Sequence, residues 1–513
     1  MTMANLPVLS ILVFLPACVA LLLTLPRAVP DGVVRKVALG TTLAELVGAG
    51  WLYWAFDLTR SAELQFVEKA NWIEALHIQY ALGVDGLALA MIVLTAITSP
   101  LAVLCSWTSI QKRVRGFFVA LLCLQTGMIG VFAATDLILF YAFWEVMLIP
   151  MALLIGVWGG PSRIYASVKF VLFTLFGSLL MFVGILFCFY AAKGAGSPTF
   201  DVFTLQQVLP QNLGGNAQVL LFIAFGLSFA VKVPMFPFHT WLPDAHVEAP
   251  TAGSVVLAGV LLKMGSYGFL RFAIPFFPFA AAWLTPLLLA LSAIGIVYGS
   301  FMCMVQTDIK KLIAYSSVAH LGFVMLGLFS GNISAAQGGV LQMINHGIST
   351  GALFLLVGVI YERTHVRGVK DFGGLAAIMP VYTVLFIIVT LSSIGLPGTN
   401  GFVGEFLILN GTFQTVPWAA AVGGLGVVLG AVYMLTLVRN MFFGPANPVW
   451  AGLKDVNRIE LVSLVPLVVL IFVLGLHPNP VLELTERSVA SALAGVTGSS
   501  TPETGAVHAA AAR

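Results

Sequence analysis

Residues 377–410 read AIMPVYTVLFIIVTLSSIGLPGTNGFVGEFLILN, an apolar stretch of 34 residues that is interrupted near its middle. About 20 apolar residues suffice for a helix to cross the hydrocarbon of a bilayer. Pro397, Gly398 and Gly401 favour a break in the helical hydrogen-bond ladder. Glu405 follows the break directly. The stretch predicts a transmembrane helix that is broken beside a charged side chain.

The whole chain has the composition of an integral membrane protein. Of its 513 residues 59% are hydrophobic, 9% are charged, and the mean hydropathy is +1.02. A soluble chain of this length would divide into domains and would not need so much apolar surface. The net charge of +3 and the absence of a basic run argue against a nucleic-acid partner. The five cysteines stand singly in apolar segments and predict packing residues.

Apolar stretches of spanning length predict an all-α polytopic fold with about 14 transmembrane helices. The candidates lie near residues 6–25, 34–56, 83–106, 115–134, 136–157, 166–192, 216–238, 252–274, 282–304, 311–330, 336–361, 377–410, 416–443 and 459–477. The longest connection, 57–82, predicts a hairpin or amphipathic turn, and 194–217 is similar. The tail TPETGAVHAAAAR predicts disorder.

The positive charges predict an orientation. Loops after odd-numbered helices carry sixteen of the 24 Lys and Arg residues, against six on the other side. The positive-inside rule then places both termini on the periplasmic side of a bacterial inner (plasma) membrane. For an organellar chain the corresponding membrane would be the mitochondrial inner membrane. The uncharged start MTMAN argues against a cleaved signal peptide.

A second predicted break lies in span seven, where Pro234 and Pro237 follow Lys232. Broken helices in a bilayer are typical of transport sites, although a proline kink that only adjusts packing is the alternative reading. The spacing from Glu145 to Lys232 is 87 residues, and that from His320 to Glu405 is 85. Two five-helix repeats would produce such spacings, and because five is odd, the second repeat would be inverted.

The predicted organisation therefore has four parts. Helices 1–3 occupy residues 1–114, the first repeat (helices 4–8) occupies 115–274, the inverted second repeat (helices 9–13) occupies 275–443, and helix 14 with the tail occupies 444–513. Helices 7 and 12 would be the broken members of the two repeats. No glycine-rich nucleotide-binding motif accompanies them.

Six ionisable side chains lie deep in apolar stretches and are the candidate proton relay: Glu145, Lys232, Lys263, His320, His346 and Glu405. A lone charge in hydrocarbon costs at least about 2.5 kcal/mol, so such groups normally mark a polar pathway. A structural carboxylate at Glu145 and satisfied core imidazoles at the two histidines are the alternatives. Glu45 is also intramembrane, but no predicted break lies near it, which favours a role in packing or a subunit contact.

Three motifs carry a family resemblance: HTWLPDAHVEAPTAGSVVLAGVLLKMGSYGFLR at 239–271, LFYAFWEVMLIPM at 139–151 and TDIKKLIAYSSVAHLGFVMLG at 307–327. They resemble the antiporter-like membrane subunits of respiratory complex I, the proton-translocating NADH:quinone oxidoreductase. The resemblance extends over practically the whole chain. It implies that Glu145 is the carboxylate partner of Lys232, that Lys263 is the central relay lysine, and that Glu405 serves the opposite channel.

The resemblance also implies partners and cofactors. The chain would bind no cofactor itself, while NADH, FMN, iron-sulfur clusters and quinone would be used on other subunits. Its neighbours would be flanking antiporter-like subunits of the L and N types. The alternative is a subunit of a multisubunit cation/proton antiporter, which shares the fold but typically carries Lys in span twelve, where Glu405 stands here. A permease for organic solutes lacks support, because no polar cluster suggests a roomy substrate pocket.

Overall fold

The fold is seen in a computed structural model, which describes residues 6–25 and 29–497. This part of the chain is mostly helical, with one two-stranded sheet. The first six helices are α1 (Val8–Thr24), α2 (Asp31–Ala55), α3 (Gly86–Cys105), α4 (Val114–Ala133), α5 (Leu137–Val146) and α6 (Leu148–Trp158).

The middle of the chain contains several short helices between long ones. They are α7 (Arg163–Gly194), α8 (Val202–Asn212), α9 (Gly215–Lys232), α10 (Trp241–Glu248), α11 (Thr251–Val256), α12 (Lys263–Gly268) and α13 (Ile274–Phe276). Two π-helical turns, Leu257–Leu261 and Phe269–Ala273, join α11 to α12 and α12 to α13. The three helices and two π turns therefore form one continuous rod.

The remaining helices follow with short connections. They are α14 (Pro278–Met304), α15 (Ile309–Phe329), α16 (Ile333–Thr364), α17 (Leu375–Ile378), α18 (Pro380–Ser393), α19 (Asn400–Thr415), α20 (Pro417–Phe442), α21 (Arg458–Leu476) and α22 (Asn479–Thr497).

Polar caps explain where many of these helices begin. Asp85, Asp136, Asp201 and Asp308 each accept hydrogen bonds from backbone amides in the first turn of α3, α5, α8 and α15. Asn457 and the third helical residue of α21 form a reciprocal capping box. Such caps satisfy amides that have no partner within the helix, so they fix the helix starts.

Eleven helical stretches among the described residues are long and apolar enough to cross a membrane. Two shorter apolar helices, α1 and α18, fall below that length. The chain is thus a polytopic helical membrane protein, while the count of fourteen spans stays a prediction. The rod of residues 251–276 and the spanning part of α16 are buried throughout, whereas fewer than half of the residues in the spanning parts of α7, α20 and α21 are buried. The buried pair is therefore the core of the bundle.

The long connections are more ordered than the sequence indicated. Strands β1 (Gln65–Ile73) and β2 (Ile78–Val84) pair antiparallel, which confirms the hairpin predicted within 57–82. The segment 194–217 contains helix α8, where a hairpin or an amphipathic turn was expected. Helix α22 follows the last predicted span and was not anticipated, because its polar residues hide its apolar face from a hydropathy count. The tail predicted to be disordered lies outside the described residues.

Candidate functional site

Lys263 lies in the buried rod, immediately after a π-helical turn. Its Nζ donates to the carbonyl oxygen of Ala258 and lies 2.6 Å from Nδ1 of His346 on α16. The π turn widens the helix, which frees the Ala258 carbonyl from its regular helical partner. The lysine is fully buried, so these two contacts are its polar environment in the described structure.

His346 leads on to a second histidine. The ring centroids of His346 and His320 on α15 are 5.9 Å apart, with the rings tilted at 59°. Both side chains are buried. Nε2 of His346 has no hydrogen-bond partner among the described residues. A buried polar atom without a partner usually has an ordered water, so a water position beside this nitrogen is expected.

A small polar cavity lies at that position. Its volume is about 10 Å³, close to the minimum that holds one water molecule. Both histidines border the cavity, and the remaining lining residues are nearly all polar: Gln342, Asn345, Ser349, Thr350, Ser392, Ser393 and Gly401. The cavity can therefore hold a water that bridges the two imidazoles.

Glu405 on α19 ends this series of contacts. Its Oε1 lies 3.3 Å from Nδ1 of His320 and accepts a hydrogen bond of 3.3 Å from Nε2 of Gln342. Ser393 Oγ is 3.3 Å from Nε2 of the same histidine. Lys263, His346, His320 and Glu405 thus form a row of neighbouring side chains, which we call the polar axis. Four of the six side chains predicted from the sequence belong to it.

The start of α19 is fixed by amide and hydroxyl side chains. Asn345 Nδ2 donates to the carbonyl of Asn400 at 2.7 Å, and Ser392 Oγ donates to Oδ1 of Asn400 at 2.5 Å. Gly404 lies against Gln342, whose Oε1 would be 2.4 Å from a Cβ at that position. A Cβ at this position would displace the Gln342 amide, so the glycine leaves room for that amide beside Glu405.

Lys232 and Glu145 are placed differently. Lys232 ends α9, and its Nζ lies 5.1 Å from the ring centroid of Trp144 and 5.9 Å from that of Phe170. No salt bridge within 4 Å joins it to Glu145 in residues 6–25 and 29–497. Oε1 of Glu145 is buried without a hydrogen-bond partner. The structure thus brings the two groups to the same aromatic neighbourhood and leaves them out of direct contact.

Glu45 and the cysteines lie apart from the polar axis. Glu45 on α2 is buried and accepts a hydrogen bond from the Gln125 side chain of α4. All five cysteines are free thiols. Within the described ranges no group of three or more His, Cys, Asp or Glu side chains has the arrangement of a metal site.

The sequence reading missed two buried polar groups next to the polar axis. His246 on α10 is fully buried and stacks on Phe354, with ring centroids 4.5 Å apart and planes at 10°. Neither ring nitrogen has a hydrogen-bond partner among the described residues. Lys310 on α15 donates to the carbonyl of Ala249 at 2.5 Å. Both residues lie in motifs that carry the family resemblance. However, each stands two residues after an aspartate, Asp244 or Asp308, in a polar stretch, and was therefore interpreted as a loop residue.

Comparisons with known proteins agree on one family. Residues 134–430 match the family described as "NADH:quinone oxidoreductase/Mrp antiporter, TM". The chain is 46% identical to subunit M of NADH-quinone oxidoreductase from Rhodobacter capsulatus, over 94% of this chain and 95% of that protein. It is 41% identical to chain 4 of NADH-ubiquinone oxidoreductase from Marchantia polymorpha, over 94% and 96%.

A solved structure is also similar. A chain of respiratory complex I from Thermus thermophilus, determined with bound NADH, superimposes with a TM-score of 0.86. That comparison covers 95% of this chain and 99% of the other at 32% sequence identity. The similarity therefore extends over the complete helical bundle, including the elements that carry the polar axis.

Proposed function

The chain belongs to the family of NADH:quinone oxidoreductase and Mrp antiporter transmembrane subunits, and we propose that it is a proton-translocating subunit of the membrane arm of respiratory complex I. Within that arm it is the M-type subunit, the counterpart of mitochondrial chain 4. The relatives that carry those names match it over nearly their whole length. NADH, FMN, iron-sulfur clusters and quinone are used on other subunits, and the flanking neighbours are antiporter-like subunits of the L and N types.

The polar axis is the observation that supports proton movement. Lys263 Nζ and His346 Nδ1 are 2.6 Å apart, which is within reach for direct proton transfer. A protonated Lys263 gives its proton to neutral His346, and the cavity water passes a proton from His346 to His320. His320 then protonates Glu405. Each donor returns to its starting state when the next proton arrives from the side of Lys263.

Lys232 and Glu145 supply the control of this movement. When Glu145 is in contact with Lys232, the negative charge of the carboxylate stabilises the protonated lysine. When the two side chains separate, that stabilisation is lost. Two unit charges about 4 Å apart at an effective dielectric constant of about 20 interact by about 4 kcal/mol, enough to change proton occupancy. The separated arrangement of the two groups corresponds to the state in which Lys232 passes its proton toward Lys263.

The finer architecture belongs to the same proposal. The chain has fourteen spans, with two inverted five-helix repeats at 115–274 and 275–443 and both termini on the periplasmic side. Helices 7 and 12 are broken. This is supported by the end of α9 at Lys232 before α10 begins at Trp241, and by the end of α18 at Ser393 before α19 begins at Asn400. A charged group lies close to each interruption, as expected of transport sites.

Replacement of Glu145 by Gln and of Lys232 by Met in the intact complex tests the mechanism. Proton pumping by inverted membrane vesicles is expected to be lost, while the complex still assembles, because neither side chain forms an ion pair within 4 Å among the described residues. Normal proton uptake in both variants would refute the control by this pair.

The choice between complex I and a cation/proton antiporter needs a different measurement. Affinity purification of the tagged chain in mild detergent, followed by mass spectrometry, is expected to recover subunits with flavin and iron-sulfur clusters. Recovery of antiporter subunits alone, with sodium-dependent proton exchange, would favour the alternative.

A further inference from the structure

A second cavity lies away from the polar axis, where the ends of four helices meet. It is formed by the last turns of α3 and α16 and by the first turns of α11 and α21, and its volume is about 30 Å³. That volume holds about two waters. The residues that line it are Leu104, Cys105, Thr108, Thr251, Leu355, Gly358, Val359, Glu362, Asn457, Ile459, Glu460, Ser463 and Leu464. We call this the inlet cavity.

The inlet cavity runs from solvent into the core. Thr108 and Asn457 at its rim are exposed, whereas Leu355, Gly358 and Leu464 at its floor are buried. Arg363 in the last turn of α16, and Lys112 and Lys454 in the loops that follow α3 and α20, lie on this side, which the sequence predicts to be the cytoplasmic face. A pump of this kind takes up protons on that face, so the cavity lies on the side where protons enter.

Glu362 is the carboxylate in the inlet cavity that has no ion-pair partner within 4 Å in the part of the chain that the structure describes. The neighbouring Arg363 is held by Glu460 through two contacts of 2.7 Å, and it also donates to three backbone carbonyls. The cation and the second carboxylate therefore neutralise each other. Glu362 is half-buried and is left to exchange a proton with cavity water.

The floor of the cavity approaches the polar axis along α16. His346, Thr350, Phe354, Gly358 and Glu362 follow one another at intervals of four residues, so each lies about one turn from the next. His346 belongs to the polar axis and Glu362 to the inlet cavity, so this stripe, a slanted row that winds partly around α16, leads from one site to the other. Over sixteen residues at 1.5 Å per residue it spans about 24 Å.

Side chains from the rod and from α10 cover this stripe. Gly358 contacts Thr251, whose Oγ1 would lie 2.7 Å from a Cβ at the glycine. One turn further along the rod, Ser254 Oγ donates to the carbonyl of His246 at 3.1 Å. The His246 ring stacks on Phe354, and both of its nitrogens lack partners among the described residues. Unpartnered buried nitrogens between two polar sites indicate bound water.

We propose that Glu362 is the proton-collecting carboxylate of this subunit and that the inlet cavity carries protons from the cytoplasmic face toward Lys263. The carboxylate of Glu362 accepts a proton from bulk water and becomes a carboxylic acid. It then gives that proton to a cavity water, which releases another inward past Thr251 and His246 to the unprotonated Lys263. The Glu362 carboxylate is restored, and one proton has entered. This proposal rests on the proposed function.

The test uses the intact complex in vesicles with Glu362→Gln, Glu362→Asp and the control Glu74→Gln. Glu74 is an exposed glutamate in the turn between β1 and β2 and is not part of the polar axis. Loss of a positioned proton-transfer group typically slows a reaction by about 100-fold or more. Glu362→Gln is expected to slow coupled proton pumping by less than this, because water still reaches the cavity. The deficit is expected to grow with rising pH, as protons become scarce, and Glu362→Asp is expected to restore most of the rate.

A second variant keeps the test decisive if Glu362→Gln does not assemble. Thr251→Val keeps the shape of the side chain but removes the hydroxyl between the cavity and His246, so it is expected to produce the same pH-dependent deficit in weaker form. If the pumping rate of Glu362→Gln or Thr251→Val depends on pH in the same way as that of Glu74→Gln, the proposal that protons enter through the inlet cavity is refuted. If Lys263→Met still loses pumping in the same vesicles, the proposed function stands; if it does not, both fail.

Discussion

The two buried lysines of this bundle have opposite surroundings. Lys263 lies among polar partners, with His346 at 2.6 Å and a series of contacts that continues to Glu405. Lys232 lies over the faces of Trp144 and Phe170, and no carboxylate within residues 6–25 and 29–497 forms a salt bridge with it. An aromatic face stabilises a cation without offering it a proton acceptor. The difference indicates that one lysine conducts protons and the other holds a charge until a neighbour changes.

The same contrast separates two regions of the bundle. The region around α16 and α19 surrounds its charges with amides and hydroxyls, such as Gln342, Asn345 and Ser392, which can orient water. The region around α5 and α9 surrounds the Lys232 ammonium with aromatic rings. Conduction needs wet, continuous contacts, whereas switching needs a charge whose stabilisation depends on one partner. Four predictions test this division, beginning with the largest expected effect.

Lys263→Met should abolish pumping. The substitution removes the ammonium that lies 2.6 Å from His346, so the polar axis loses its first donor, and a loss of at least about 100-fold is expected in vesicle pumping assays. The complex should still assemble, because methionine fills a similar volume and no ion pair is broken. Lys193→Met, which changes an exposed lysine at the end of α7, is the matched control. Pumping at the control rate would remove Lys263 from the conduction path.

Trp144→Leu should reduce pumping by about tenfold, because a desolvated cation–π contact contributes about 2 kcal/mol to holding the charge on Lys232. Trp144→Phe keeps an aromatic face and should give an intermediate rate. Trp283→Leu changes an exposed tryptophan of α14 and serves as the control. If the leucine and phenylalanine variants pump equally, the ring face does not hold the charge and the contrast between the lysines loses its basis.

Gln342→Met should have a smaller effect, a severalfold loss of pumping. It removes the 3.3 Å hydrogen bond to Glu405, worth about 1 kcal/mol. The axis itself is kept. The rate of pumping is to be compared with that of Gln206→Met, which removes a hydrogen bond to a backbone carbonyl of Arg271 away from the axis. A loss as complete as that of Lys263→Met would mean that Gln342 is itself part of the proton path.

Asp201→Asn should have the smallest effect on the protein, a local loss of stability, because Asp201 lies at the start of α8 and not in the core of the bundle. Burial raises the pKa of Asp201, but hydrogen bonds from Lys69 and Thr204 and the Lys69 charge outweigh it, so the pKa lies below its ordinary value. A carboxyl with a lowered pKa stabilises the fold above its unfolded pKa of about 3.9 and loses that contribution as pH falls through the folded value. The Lys69–Asp201 contact of 2.9 Å links the hairpin to α8.

Hydrogen–deuterium exchange checks this sign. After correction for intrinsic rates, α8 and the hairpin should exchange faster in Asp201→Asn than in the unmodified chain, by less than about 1 kcal/mol of opening free energy because Lys69 is partly exposed. The difference should be equal at pH 7 and pH 5, which both lie above the unfolded pKa. A difference that vanishes already at pH 5 would contradict the lowered pKa.

The sequence by itself determined that this protein lies in a lipid bilayer and which ionisable groups its interior contains. Hydropathy alone assigned the chain to the membrane, and charges inside apolar stretches are rare enough that Lys263, His346, His320 and Glu405 could be named in advance. The hairpin at 57–82 was also foreseen. Helices α8 and α22 were not, because an amphipathic helix at a surface shows no long apolar run.

The tertiary structure alone decided which of the named groups touch. Residues 83 positions apart, Lys263 and His346, meet because α16 packs along the rod that carries the lysine. Glu145 and Lys232, 87 positions apart, form no salt bridge among the described residues, and the Lys232 ammonium lies over the rings of Trp144 and Phe170 instead. His246 became visible as a polar group in the core only through its burial. Contacts between distant segments depend on how helices pack, and a single sequence records burial tendencies without recording those contacts.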